Sequence, residues 1–564
     1  MEEQKRAWYS GLNGYHWLVF AACTMGWTFD CLDAQLFALA RQPALADLAG
    51  VAEDAPVVKY FAGLATSAML IGWATGGIFF GIMGDRIGRV KVMFWTILSY
   101  SLFTGLCGAA TSTWMFVLFR LLTGLGIGGQ FAVGVSLLAE TMPNHARSRA
   151  LGLLQAFATI GNMSAALIAM GLGQLTAMGI LPGGTWRWMF LIGVLPAALS
   201  VVVIRYLHEP EAWKKATESA EDKAKAGSLR ELFGTPRWRH NVIFGMLLAS
   251  VGVIGLWGIG FFSIDLNRTV CRKWAGKEEL KEATEPLDQP FIGSLLARPE
   301  LLDETAKQIK PTFLLHEDAS NNCPRLVYSA ALALRLGDKE NQKEGLTAEE
   351  ALMPENITAY LEKQSKLFPD ELDACTSYLA AAAPAESLPS IVEAITARQT
   401  RINKTVGWWG AITSMLFNAG AFFGIYAFAV VTERLGRRPT FTIFFLASLF
   451  STVLAFLCMN KPIDILWMVP LMGFFQLALF GGYTIYFPEL FPARLRSTGI
   501  SFCYNIGRYV AAFGPAMLGL LTQHVFSAYD EPMRYAGAMM CGVFLIGIVL
   551  TWMLPETKGQ PLPE

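Results

Sequence analysis

"GDRIGRV" (residues 84–90) and "TERLGRR" (432–438) are one short phrase written twice, 348 residues apart (432 against 84). Three further phrases repeat in the same order at nearly the same offset. "AETMPNHARS" (139–148) returns as "PELFPARLRS" (488–497), which matches Glu140 to Glu489 and Pro143 to Pro492. "TWRWMF" (185–190) pairs with "PMRYAG" (532–537), and "LHEP" (207–210) with "LPET" (554–557). Four pairs in register mean that one structural unit occurs twice.

The material between the phrases is apolar. Of 564 residues, 53% are hydrophobic and 16% charged, against the roughly 25% charged expected of a soluble domain. Runs long enough to cross a bilayer as helices lie at about 16–40, 61–83, 92–112, 114–139, 150–176, 187–207, 241–263, 406–431, 440–460, 464–487, 498–523 and 535–554. The expected fold is therefore an all-α membrane protein of twelve transmembrane helices, in two pseudo-symmetric six-helix bundles. Its divisions are a first bundle over 1–207, a linker over 208–240, helix 7 over 241–263, a polar insertion over 264–405 and helices 8–12 with the tail over 406–564.

Short loops rich in Lys and Arg follow helices 2, 4, 6, 8 and 10, which predicts cytoplasmic termini and linker and an extracytoplasmic insertion, in a multi-pass protein of the cell membrane. No cleavable leader is evident in "MEEQKRAWYSGLNGYHW". The insertion holds Cys271, Cys323 and Cys375, two of which can pair in an oxidising compartment, and sequons at Asn267, Asn356 and Asn403. A formal net charge of zero gives no sign of a nucleic-acid partner. There is no ATPase motif, catalytic triad, metal-ligand spacing or cofactor motif; "GLGIGGQ" (124–130) lies within a helix and reads as close helix packing. The expected partners are a small-molecule substrate, protons and the lipid bilayer, with the monomer as the working unit and no enzymatic activity.

Gly81, Asp85, Arg86, Gly88 and Arg89 form "G-x-x-x-D-R-x-G-R", and Arg120–Gly129 form "R-x-x-x-G-x-G-x-G-G". With "LLAE" (137–140), "PETKG" (555–559) and the central linker, the chain resembles the major facilitator superfamily, both its sugar porters and its proton-coupled organic-acid and aromatic-acid symporters. Asp30 and Asp33 in "TFDCLDAQLF" (28–37) lean toward the acid branch, whose members often carry D-x-x-D in helix 1. The resemblance implies alternating access, with Gly81, Asp85, Arg86, Gly88, Arg89, Glu433, Arg434, Gly436 and Arg437 latching the halves on the cytoplasmic side. Glu140 with Arg147 and Arg149, and Glu489 with Arg494 and Arg496, look like further parts of that latch. Positive-inside anchoring alone explains the arginines but not the glycines and carboxylates between them.

Depth sets which buried charges can meet. With helix 1 entering near His16, Asp30 lies about 21 Å from the cytoplasmic face and Asp33 about 4–5 Å beyond. Arg120, about 9 Å below the opposite face of a core about 30 Å thick, comes level with Asp30. Two carboxylates so close resist joint ionisation while a guanidinium favours it, so Asp30, Asp33 and Arg120 read as a proton site, with Asp30 the carrier. A permanent ion pair, or an Asp33 that reaches interfacial water, is the plainer reading. Arg508 falls near mid-membrane in helix 11 with Asn505 on its face, and a planar guanidinium suits a substrate carboxylate. Bonding to neighbouring carbonyls is its bland alternative. Gln130, Gln155, Asn162, Asn418, Gln476 and Tyr483 are cavity candidates, and Trp73 and Trp257 are candidate flat walls; ordinary interhelical bonding or packing competes for each. The leading expectation is a transporter coupling a mono- or aromatic carboxylate to protons. A proton-coupled sugar or neutral-solute porter is next, and a non-transporting sensor third.

Overall fold

A computed structural model describes residues 7–51, 56–182, 184–219, 223, 225–260, 266–272, 274–275, 327, 330–331, 334, 346–363, 377, 379–380, 388–511, 521–529 and 531–563. Among the described residues the chain is helical and contains no strand. It divides into two units, Met1–Leu266 with Ala411–Glu564, and Asn267–Gly410.

The first repeat opens with α1 (Gly14–Ala49), started by reciprocal bonds between Asn13 and His16 and stopped by Gly50 in the left-handed conformation. It continues through α2 (Pro56–Ile87), α3 (Arg89–Gly108), α4 (Thr113–Thr141), α5 (Asn144–Ala177), α6 (Thr185–Ile192) and α7 (Pro196–Tyr206). Short helices α8 (Glu211–Lys215) and α9 (Leu229–Gly234) lie in the linker. Helix α10 (Pro236–Val253) runs on as a π-helix over Ile254–Gly260. In the second unit the described helices include α11 (Ala348–Ala351), which Thr347 and Glu350 cap reciprocally, and α12 (Pro354–Lys363). The long α13 (Leu388–Leu435) leads to α14 (Arg437–Cys458), α15 (Pro462–Leu490), α16 (Arg496–Ala511), α17 (Pro532–Met540) and α18 (Val543–Met553).

Ten helical stretches among the described residues are long and apolar enough to cross a membrane, each answering to one expected span. The two expected spans outside that set are 16–40 and 498–523. Helix α1, at 36 residues, has the length but carries Asp30, Asp33 and Arg41 within it. The span over 498–523 lies partly outside the described residues. Residues 187–207 form two helices rather than one, because Pro196 opens α7 just after the chain breaks helix at Gly193. The equivalent helix of the second repeat is interrupted in the same place, between α17 and α18.

The glycines of "GLGIGGQ" do pack helices: a Cβ on Gly124 or Gly128 would strike the Met69 or Trp73 carbonyl of α2. The two repeats meet along α2 with α16 and α5 with α15. On α2, Gly77, Gly81 and Gly84 share one face and lie against Asn505, Ser501 and Ser497 of α16, so the backbones approach closely. In the second unit Cys271 is free and buried; Cys323 and Cys375 lie outside the described residues. Asn267 is 1% exposed, which removes it as a glycan acceptor in this state. The Asn356 amide donates to the Glu350 carbonyl at 2.8 Å; the Asn403 side chain is outside the described set.

Candidate functional site

The latch phrases lie beside the first and last described stretches of the chain, where His145 meets the Ser10 carbonyl at 3.0 Å and Lys558 donates to the Arg434 carbonyl. Gly88 and Gly436 have φ of 115° and 97°, which break the chain sharply between consecutive helices. The helices they release begin with Arg89 and Arg437. In the first repeat, the Glu209 carboxylate accepts from the backbone N–H groups of Arg89 (2.7 Å), Val90 (3.0 Å) and Lys91 (3.3 Å). In the second, Glu556 accepts from those of Arg437 (2.9 Å) and Arg438 (3.0 Å). These are the glutamates of "LHEP" and "LPET", and each satisfies orphan donors at a helix start. Burial pushes the Glu209 carboxyl up despite its donors. Burial also works against the Glu556 carboxylate, but its backbone donors and the Arg437 charge outweigh that and hold it below the usual range.

From these anchors the arginines reach inward. Arg89 pairs with Asp85 (3.0 Å) and Glu140 (3.1 Å), and donates to the Ala493 carbonyl of the other repeat. Arg437 takes Glu489 in a bidentate grip (2.5 and 3.0 Å) and donates to Ser148 of the first repeat (3.1 Å). Asp85, fully buried, accepts from the N–H groups of Ser497 (3.1 Å) and Thr498 (2.8 Å) and from the Thr498 hydroxyl (2.6 Å), where α16 begins. Glu433, its counterpart, meets Arg149 of α5 at 2.9 Å with both partners half-buried. Every one of these junctions joins the two repeats or holds a residue that does.

Within these phrases the carboxylates find their partners elsewhere in the fold. Glu140 pairs with Arg89 and Arg496, not with Arg147 or Arg149. Glu489 pairs with Arg437, not with Arg494 or Arg496. The reason is local geometry. Arg147 folds back to donate to the Ala139 and Met142 carbonyls that close α4, and Arg496 Nε does the same to Pro488. Arg494 pairs with Glu231 of the linker at 2.8 Å. Arg86 and Arg434 are exposed; Arg86 reaches the Ala226 carbonyl at 3.4 Å, and Lys558 donates to the Arg434 carbonyl. The linker Trp213 indole donates to the Asp85 carbonyl at 2.7 Å. The third pair of phrases also has matching duties. Arg187 donates to the Gly108 and Ala110 carbonyls, and Arg534 to those of Phe456 and Met459, closing α3 and α14.

The membrane-embedded charges are also redistributed. Arg120 meets Asp33 at 3.4 Å, not Asp30, and both are at most 1% exposed. Asp33 is therefore shielded from water in this state. Helices α1 and α4 run antiparallel here, with Trp27 against Phe131 and Phe37 against Phe116. Side chains lean toward the N-terminus of their own helix, so Arg120 reaches one turn further up α1 than its Cα level. Thr104 donates to Asp33 at 2.7 Å, and Arg120 also donates to Cys107, Thr104 and Thr123. Asp30 is fully buried with neither oxygen in a hydrogen bond of ordinary geometry.

Arg508 sits on the seam between repeats. Its guanidinium lies over the Trp73 ring at 4.3 Å and the Tyr504 ring at 4.6 Å, and Nη1 donates to Asn505 Oδ1 at 2.6 Å and to the Tyr504 carbonyl at 3.3 Å. Among the described residues it is paired with no carboxylate. Asn505 is itself held by donating to the Ser501 carbonyl at 3.0 Å. Asn162 and Asn418 bond each other across the seam at 3.0 Å, and Thr484 donates to Gln155 at 3.3 Å. Gln130 accepts from Thr96 (3.1 Å) and Gln476 donates to Thr452 (2.6 Å), each within its own repeat. The buried Tyr483 spends its hydroxyl on the Leu248 carbonyl (3.0 Å), so in this state it is a structural group. Trp257 falls in the π-helix, and its side chain lies outside the described residues. The described residues contain no cluster able to hold a metal ion.

Sequence reasoning missed Glu209, Glu556, Ser148, Ser497 and Thr498. The paired echoes held the signal for the first two, since a repeated acidic residue at the end of each repeat calls for a repeated partner.

A family model of the Major Facilitator Superfamily matches residues 17–268 and 374–564. A metabolite transport protein of Haemophilus influenzae is 25% identical over 98% of this chain and 99% of its own length. A niacin transporter of Acinetobacter baylyi is 34% identical over 35% of this chain and 42% of its own. Among solved structures, a proton:xylose symporter bound to 6-bromo-6-deoxy-D-glucose superposes with a TM-score of 0.54 at 14% identity, covering 97% of this chain and 98% of that one.

Proposed function

Because this chain belongs to the Major Facilitator Superfamily, we propose that it carries a small organic anion, a mono- or aromatic carboxylate, together with protons by alternating access. It is an integral multi-pass membrane transporter rather than an enzyme. The observation that carries the choice of an anion is Arg508, a buried guanidinium on the seam with no carboxylate partner among the described residues. A cation held among aromatic rings in a membrane interior needs a counter-charge, and a planar fork suits a carboxylate. The niacin transporter among the relatives, whose named cargo is an aromatic carboxylate, supports the same class. The neutral-solute reading rests on the amide pair Asn162–Asn418, which already satisfies part of its own bonding.

In this proposal, twelve helices form two six-helix bundles, with both termini in the cytoplasm, 264–405 outside, and a single chain in the cell membrane as the working unit. The state described here has the termini-bearing end latched. Substrate enters from the opposite end and its carboxylate docks on the Arg508 guanidinium, beside the Trp73 and Tyr504 rings. Asp30 binds the coupling proton, while Asp33 stays paired with Arg120. Breaking the Asp85–α16, Glu140–Arg496 and Arg437–Ser148 junctions then opens the latched end. Release of the anion and the proton to the cytoplasm resets the cycle.

Purified protein in proteoliposomes with an imposed pH gradient tests this. A carboxylate panel is expected to accumulate, and Asp30→Asn is expected to abolish accumulation while leaving counterflow exchange measurable. Uptake of sugars with no uptake of acids would reverse the choice of cargo.

A further inference from the structure

Thr96, Tyr100 and Thr104 recur every four residues on α3, so they share one face, and all three are fully buried. Two contacts tie that face to α1, one direct and one through Gln130 of α4. At one end, Thr104 donates to Asp33 at 2.7 Å. At the other, Thr96 donates to Gln130 Oε1 at 3.1 Å, and the same Gln130 amide nitrogen stands against Gly26 of α1, where a Cβ would overlap it. One turn back from the Thr104–Asp33 bond on each helix come Tyr100 of α3 and Asp30 of α1, at one level. Tyr100 is fixed in height because its backbone packs on Gly126 of α4, where a Cβ would come within 2.7 Å of the Tyr100 nitrogen. Its hydroxyl interacts with the Asp30 carboxyl, both are buried, and among the described residues neither makes a hydrogen bond of ordinary geometry.

Among the described residues, the charged and titratable groups around Asp30 are few. On its own helix they are Asp33 and Cys31; α3 brings Tyr100; α4 brings Arg120, which is bound to Asp33; and α16 brings Arg508, which faces Cys31. Arg120 is committed to four acceptors, and a guanidinium can only donate. A carboxyl that alternates between charged and neutral forms in a dry bundle needs a neighbour that can serve both. A carboxylate requires a donor and a carboxylic acid requires an acceptor. Among the groups named, the phenol hydroxyl alone is a strong partner in both senses.

We propose that Tyr100 is the positioning residue for the proton of Asp30, its hydroxyl donating to the carboxylate and accepting from the acid, with Thr104 and Thr96 marking the two ends of a polar file within the first repeat. This rests on Asp30 as the proton carrier. It places the proton's site between α1 and α3 of the first repeat, on side chains other than those offered to the anion at Arg508.

The test is Tyr100→Phe in proteoliposomes, beside wild type and Asp30→Asn. Loss of the donor to the ionised carboxyl is expected to move the pH profile of accumulation to the alkaline side by about one unit, a tenfold change in proton affinity. Counterflow exchange at fixed pH is expected to stay within about twofold, because it needs no net proton movement. A fluorinated tyrosine at position 100 keeps the ring and the hydroxyl but donates more strongly; it is expected to move the profile to the acid side, and it serves if the phenylalanine variant does not fold. A wild-type profile in whichever variant folds, with Asp30→Asn unable to accumulate, overturns the role of Tyr100 alone. Accumulation by Asp30→Asn overturns the reading beneath it.

Discussion

The Arg496 guanidinium of the second repeat donates to the Glu140 carboxylate of the first at 2.6 Å, and neither side chain is more than 1% exposed. Arg89 shares that carboxylate at 3.1 Å, so one buried anion holds two buried cations from opposite halves. Such a group is costly to remove, because each remaining charge is left without compensation.

Glu140→Ala is therefore expected to cost the latched state about 3–5 kcal/mol. The cost falls on that state alone, since parting the halves returns the arginines to water. Hydrogen exchange in the first turn of α16 is the measurement. It should speed up markedly, while exchange in α3 and α4 changes little; an unchanged first turn would show that other contacts hold the latch.

Gly88→Ala combines two faults. The position has φ of 115°, and its Cβ would overlap the Glu209 carboxylate that caps α3. A destabilisation of about 1–3 kcal/mol is expected, read as a lower melting temperature in detergent. Gly171→Ala, where a Cβ meets open space inside α5 and φ is ordinary, is the contrasting control and should stabilise by up to about 1 kcal/mol.

Arg508→Lys keeps the charge but loses the planar fork and the stacking between Trp73 and Tyr504. The transport KM for a carboxylate should rise by about tenfold or more, the loss of roughly one charge-assisted bond, with protein yield unchanged. Equal KM values for the two proteins would take Arg508 out of the binding site.

Glu556 supplies a pH test with a definite sign. Its folded-state carboxyl is held below the ordinary range by backbone donors and Arg437. The stabilisation is thus fully present above the unfolded value of about 4.3 and is lost as pH falls through the lower folded value. The melting-temperature gap between wild type and Glu556→Gln should be constant from pH 8 to about pH 5 and close at more acid pH. A gap that widened in acid would reverse the assignment.

Much of this architecture was legible because duplication prints the same constraint twice. Gly88 and Gly436, Arg89 and Arg437, and Glu140 and Glu489 can be paired by reading alone, and each pair has matching duties in three dimensions. What reading missed was who pairs with whom. Glu140 stands seven residues from Arg147, which makes that pairing tempting, but the turn at Pro143 aims Arg147 at the carbonyls of its own hairpin. The true partner, Arg496, is 356 residues away, and no local rule points to it. The Asp30–Arg120 expectation failed for a similar reason. Helix arithmetic fixes Cα levels, whereas a long side chain leaning toward its helix start meets the residue one turn on, which is Asp33.

The glutamates that seat the two latch helices have a consequence for how the molecule is made. Glu209 follows Arg89 by 120 residues, and Glu556 follows Arg437 by 119. While the ribosome is still building either half, the start of its latch helix has its backbone donors without their carboxylate. Only when the last residues of that half emerge does the carboxylate arrive to fasten it. A half cut short during synthesis therefore leaves the first turn of its latch helix uncapped, although the arginine there already has its side-chain partners.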